Sequence, residues 1–269
     1  MDNGCNRWQA ISRLHLILSA TIFCLLMMMG TGAIASAAPM PEIQRRGYLT
    51  VAVKDSLRPL AFKDEDGNLQ GLEIDLAKRL AVDLLGQADA IKLQPVGNRD
   101  RLSVVFDHQV DLAIARITAT ESRARLVSFS VPYYLDSTVF ITQNTSVQQP
   151  SDLAKRKIAV LNNSSTIAKV RYFLPTAELV GVNSYAEARE QLENNTVAAF
   201  AADASVLTGW VQEYPQYRLL PTKLSTEPLS VAMPKGLQYD ELRRKVNEAI
   251  ARYIAEGWLS ERVKYWGLL

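Results

Sequence analysis

Cysteine and histidine are nearly absent from this sequence. The chain carries two of each in 269 residues, and both cysteines, Cys5 and Cys24, fall within the first 37. Once that segment is set aside no thiol remains, which excludes disulfides, thiolate metal sites and cysteine nucleophiles. His108 is then the only histidine, between Asp107 and Gln109 near a turn, where a solvated surface role is expected. No Ser/His/Asp arrangement, HExxH motif, P-loop or calcium-loop spacing is present. Catalytic residues, a metal and a cofactor are therefore not expected. A strong charge of one sign is lacking too. The formal net charge is +2, so nothing marks the chain as an electrostatic binder of nucleic acid.

What is present begins with an export signal. Arg7 and Arg13 precede a mostly apolar run over residues 16–29, followed by small residues and Ala35-Ser36-Ala37. This order is that of a cleaved secretory signal peptide spanning residues 1–37, with an apolar core too short for a membrane span. Phe23 before Cys24 argues against a lipoprotein cleavage site there. About 232 residues remain, with a net charge near +1. That length suits one large domain or two lobes of about a hundred residues each.

Strands and helices alternate along this remainder. Buried strands are expected at residues 47–53, 91–96, 112–115, 138–142, 157–161, 179–182, 197–201 and 229–236. Between them the spacing predicts helices from Gly71 to a stop at Gly86, over 99–108, over 186–193, and from Ile167 and Asp203 onward. Residues 151–154 read as a capped short helix and residues 64–68 as a hairpin turn. A long helical tail carries Leu242, Val246, Ile250, Tyr253, Ile254, Leu259, Val263 and Trp266 on one face. Such alternation predicts an α/β fold with mainly parallel sheets. Two α/β halves without a long linker predict two lobes with a cleft between them.

Three strand-to-helix handovers carry chemistry. The first lies in DLAIARITATESRARLVSFSVPYY (residues 111–134), where a buried strand runs through Thr118 and Thr120 into a short basic helix with Arg123 and Arg125. Thr118 with Glu121 reads as a capping box, and Arg123 offers a planar fork of donors to a carboxylate. The second is Ser164-Ser165-Thr166, hydroxyls at a helix start. The third is Asp203, a carboxylate where a strand hands over to a helix, equally able to serve as an N-cap. In open parallel sheets ligands bind beyond the carboxyl ends of the strands. A small zwitterion would use the set, with Arg123 for its carboxylate and Asp203 for its ammonium.

These residues resemble a known family. GLEIDLAKRLA (71–81), VDLAIARITAT (110–120), SRARLVSFSVPYY (122–134), AFAADASV (199–206) and MPKG (233–236) with the helical tail occur in the order seen in periplasmic amino-acid-binding proteins of ABC importers, solute-binding protein family 3. The resemblance covers about Ile43 to Leu269. It implies the type II periplasmic-binding-protein fold, in which two α/β lobes are joined by two hinge strands and close on a ligand between them. Lobe 1 would comprise 43–135 plus 230–269 and lobe 2 would comprise 136–229, with crossings near residues 134–139 and 227–230. By position, Arg123 and Thr118 match the family's carboxylate-binding pair, Asp203 its ammonium receptor, and Ser164, Ser165 and Thr166 its second-lobe turn. The implied partners are a small-molecule amino acid and a membrane permease of an ABC importer, with the protein periplasmic, monomeric and not an enzyme.

The sequence departs from the family pattern at two places. Leu57 stands where an aromatic ring is usual, and Arg116 where a glycine is common. If Arg116 enters the cleft it favours an acidic ligand side chain or fills part of the pocket, and Arg58 and Asn98-Arg99 lean the same way. Acidic or polar amino acids (glutamate, aspartate, glutamine) are therefore the expected ligands. A prephenate or arogenate dehydratase on the same fold, and an amino-acid-sensing partner of a membrane receptor, are the alternatives.

Overall fold

In the computed structural model, residues 37–162 and 164–269 are described. Residues 1–36 of the expected signal peptide, and both cysteines, lie outside them.

Helix α1 (Met40–Arg46) leads into strand β1 (Leu49–Val53), and a small sheet follows from β2 (Ser56–Leu57), β3 (Ala61–Lys63) and β4 (Leu69–Gln70). The β3–β4 turn is held by Asp64, whose carboxylate accepts from the Asp66 and Asn68 amides at 3.1 and 2.7 Å. Helix α2 (Leu72–Leu85), β5 (Ile91–Pro95), α3 (Ser103–Phe106), β6 (Leu112–Ile114), α4 (Glu121–Ala124) and β7 (Ser128–Phe129) come next. After β8 (Tyr134–Asp136) the pattern restarts with β9 (Thr138–Thr142), β10 (Lys157–Leu161), α5 (Thr166–Phe173), β11 (Glu178–Val182), α6 (Tyr185–Glu193), β12 (Ala199–Asp203), α7 (Ala204–Glu213) and β13 (Arg218–Leu219). Strands β14 (Glu227–Leu229) and β15 (Ala232–Met233) precede the helices α8 (Asp240–Ala255) and α9 (Trp258–Tyr265).

The strands form two five-stranded sheets, ordered β5-β1-β6-β15-β7 and β11-β10-β12-β9-β13. Each is parallel through its first three strands and antiparallel at the far edge. Both faces are covered. Leu49, Val51 and Val53 of β1 pack into one apolar cluster and Ala52 into another, while Ile158 and Val160 of β10 face away from Ala159. This is why the strands read as continuous apolar runs rather than alternating ones. Chain excursions β8 and β14 pair antiparallel as a two-stranded ribbon between the sheets' sequences, Tyr134 opposite Leu229 and Asp136 opposite Glu227. Asp136 is buried there and accepts from the Ser137 and Ser205 amides at 2.8 and 3.0 Å.

Three local expectations are corrected. The helix expected over 99–108 contracts to Ser103–Phe106, because the only apolar pair it buries is Val104 and Val105. The tail is two helices rather than one, broken where Gly257 adopts φ 75°, a left-handed conformation that glycine tolerates. The cap of α4 is Thr120, whose hydroxyl accepts from the Arg123 amide at 3.3 Å; the Thr118–Glu121 capping box does not form.

Candidate functional site

Strand β6 ends against a buried carboxyl group, and that contact sets the backbone beyond it. Glu73, in the first turn of α2, is fully buried, and its Oε1 accepts from the Arg116 amide at 2.7 Å and the Tyr133 hydroxyl at 2.5 Å. Burial raises the Glu73 pKa, although both hydrogen bonds oppose the rise. Arg101 donates to the Ala115 and Arg116 carbonyls at 3.1 and 2.5 Å. Burial first, then the charges of Arg116 and Arg123, push the Arg101 pKa down to about 10. Held from both sides, Arg116 adopts φ 49°, in the left-handed region. A non-glycine residue there is uncommon, and such strain clusters at functional positions.

The Arg116 side chain turns into the space between the two halves and forms an ion pair with Asp203, at the end of β12. The two side chains are 18% and 19% exposed, so little water screens the pair. Although Asp203 stands at the N-cap of α7, its side chain makes no capping bond; the carboxylate is used by Arg116 instead. Burial works against the Arg116 charge, but Asp203 outweighs it and raises the pKa.

Arg123 donates to the Thr118 carbonyl at 2.9 Å, so these two expected partners meet through guanidinium and backbone. Burial, and then the Arg116 charge, lower the Arg123 pKa. The Thr118 backbone bridges to Leu229 and thereby ties this turn to the β8–β14 ribbon. On the other half, Ser165 occupies the N-cap of α5 without a side-chain capping bond, and Thr166 is buried in its first turn. The Ser164 hydroxyl is buried and has no hydrogen-bond partner among the described residues. On α5, Lys169 pairs with Glu227 of the ribbon.

A cleft of about 560 Å³ opens between residues of both halves. One wall carries Lys54, Leu57, Arg58, Phe62, Asn98 and Arg116; the other carries Tyr185, Arg189, Gly209, Trp210 and Tyr214. Of the residues singled out from the sequence, Leu57, Arg58, Asn98 and Arg116 line this volume, whereas Thr118, Arg123, Ser164, Ser165, Thr166 and Asp203 do not. Arg116 therefore links the cleft to the expected clamp, through its ion pair with Asp203. Sequence reasoning missed Lys54, whose ammonium donates to the Val96 carbonyl at 2.8 Å, and the aromatic wall of Tyr185 and Tyr214. Arg58, exposed, stacks on the Phe62 ring 3.9 Å from its centroid. No group of three or more His, Cys, Asp or Glu side chains among the described residues is gathered as a metal site.

Residues 49–268 match the bacterial extracellular solute-binding proteins, family 3. The chain belongs to that family. It is 29% identical over 204 residues to the glutamine-binding protein of Geobacillus stearothermophilus, covering 75% of this chain and 78% of that protein. It is 25% identical over 230 residues to the ABC transporter glutamine-binding protein GlnH of Bacillus subtilis (strain 168), covering 84% of each. Among solved structures, the ancestral cationic amino acid solute-binding protein AncCDT-1 superposes with a TM-score of 0.71 at 25% identity, covering 84% of this chain and 98% of that one. The solute receptor for L-cysteine of Neisseria gonorrhoeae gives 0.68 at 25% identity, with 86% and 94% covered. The architecture is the type II periplasmic-binding-protein fold: two α/β lobes with a cleft between them.

Proposed function

We propose that this protein is an exported solute-binding protein that captures an amino acid in its interlobe cleft and delivers it to the permease of an ABC importer. The observation that carries this reading is the cross-cleft meeting of Arg116 and Asp203, one from each five-stranded half, in a member of a solute-binding family. Side chains that converge on a cleft from two lobes can contact a ligand from both sides only when the lobes are together. Binding then shifts the population toward the closed form. Relatives named for glutamine, and neighbours named for arginine and cysteine, support an amino acid as the class.

In this reading Arg123 binds the ligand's carboxylate, the orphan Ser164 hydroxyl with Ser165 and Thr166 donates from the second lobe, and Leu57 gives an aliphatic wall. Acidic or polar amino acids are favoured because cations outnumber carboxylates along the cleft. Lys54, Arg58, Lys63, Arg116 and Arg189 line it against Asp55 and Glu213, and of these cations Lys54 and Arg58 form no ion pair among the described residues. A thermal-shift screen of the proteinogenic amino acids tests the proposal. A rise in midpoint with glutamate, aspartate or glutamine is expected, and no rise with any amino acid would refute it.

A dehydratase reading draws on one neighbour, described as an ancestral amino-acid-binding protein and precursor of cyclohexadienyl dehydratase (TM-score 0.67, 25% identity). Its best available acid is Glu73, whose Oε1 is already engaged by Arg116 and Tyr133. Turnover of prephenate by the purified protein would establish that reading and displace ours.

A further inference from the structure

The strongest partner that a protein cleft can offer an ammonium group is a carboxylate that no other cation holds. Asp203 is not such a group, since Arg116 pairs with it. Asp55 stands 3.4 Å from Lys63. Asp136 is turned to the Ser137 and Ser205 amides and the Ser205 hydroxyl. What is left along the cleft is Glu213, exposed to solvent at the rim, where screening makes an ion pair weak. Cations, in contrast, are in surplus. The backbone supports the same conclusion from another direction. Arg116 keeps its side chain in the cleft at φ 49°, a conformation in which glycine would be less strained.

We infer that this cleft accepts carboxylates lacking an α-ammonium, dicarboxylates above all, on nearly equal terms with acidic amino acids, because Arg116 already occupies the carboxylate that an ammonium would use. The inference rests on the proposed interlobe site and concerns what that site demands of its ligand. Arg116 acts here as a specificity residue. By neutralising Asp203 it removes most of the gain that an α-ammonium would otherwise bring, while Lys54 and Arg58 on the cleft wall supply the attraction for a second carboxylate.

Calorimetric titration of the purified protein with L-glutamate against glutarate, and with L-aspartate against succinate, tests this. In each pair that binds, the dicarboxylate is expected within about tenfold of the amino acid, a difference of about 1.4 kcal/mol. In Arg116→Gly, which frees Asp203 and suits the left-handed backbone, the preference for the amino acid over its des-amino counterpart is expected to rise by about tenfold or more. An unmodified protein that prefers the amino acid by more than about tenfold overturns the inference and leaves the proposed function standing; this comparison holds even if the variant fails to fold. An unchanged preference in a folded Arg116→Gly variant also overturns it. Binding of some other amino acid, with neither pair bound, overturns the inference alone. Absence of binding by every amino acid and both dicarboxylates overturns the inference and the proposed function together.

Discussion

A Cβ atom at Gly209 would lie 2.1 Å from the Arg58 carbonyl oxygen. Gly209 belongs to α7, which packs on the second sheet, while Arg58 follows β2, whose neighbours Leu57, Leu60 and Ala61 pack into the first core. The contact therefore brings backbone of one half against backbone of the other, at the wall of the cleft. A glycine permits the approach because any side chain would strike a rigid carbonyl rather than a flexible chain end. Gly209→Ala is expected to hold the halves apart and weaken amino-acid binding by about tenfold or more, with little loss of folding stability. Calorimetry with small-angle scattering checks it; a variant that binds and closes like the parent would show that this contact does not limit closure.

Glu73 gives a pH dependence with a definite sign. Its folded pKa lies above the usual 4.5 because burial disfavours the charge. The folded state thus holds the proton more tightly than the unfolded chain, and the stabilisation is complete below 4.5 and lost as pH rises through the folded value. Glu73→Gln keeps an acceptor for the Arg116 amide and the Tyr133 hydroxyl and removes the charge. Urea unfolding should find the variant gaining on the parent between pH 4 and pH 7, by about 1.4 kcal/mol for each pH unit of the Glu73 shift spanned. An offset that stays constant with pH would contradict the assignment.

Glu227 has the opposite sign. Burial again raises the cost of its charge, but the Lys169 hydrogen bond and charge outweigh it and bring the pKa below 4.5. Its stabilisation is present above 4.5 and disappears as pH falls through the lowered folded value. Lys169→Met leaves Glu227 without its cation, with Ser225 at 3.0 Å as a remaining donor. The expected loss is about 1–3 kcal/mol at pH 7, shrinking in acid. Equal losses at pH 7 and pH 3 would mean that packing of the Lys169 stem, not the ion pair, is what matters.

Much of the fold was legible because both faces of each sheet are covered, so buried strands such as Leu49–Val53 and Lys157–Leu161 appear as unbroken apolar runs. Gly86 could be read as a helix stop and Asp64-Glu65-Asp66-Gly67-Asn68 as a turn, since each depends on chemistry within a few residues. Features that need a distant partner were not legible. Glu73 looks like an ordinary first-turn acid of an amphipathic helix, and only the folded chain brings the Arg116 amide and Tyr133 to it. At Arg116 the sequence offered one clue, a bulky cation where glycine is common, but not its direction. Its pairing with Asp203 requires the two halves to face each other. The aromatic wall of Tyr185 and Tyr214 was hidden for the same reason, because helical spacing alone does not distinguish a core ring from a cleft ring.

Arg123 is the most direct test of the account. Calorimetric titration of Arg123→Ala with the best-binding amino acid of the screen should show affinity reduced by at least about 100-fold, close to 2.7 kcal/mol, because the ligand carboxylate is left buried without its partner. Near-normal affinity in a folded variant would contradict the assignment of Arg123 as the carboxylate anchor.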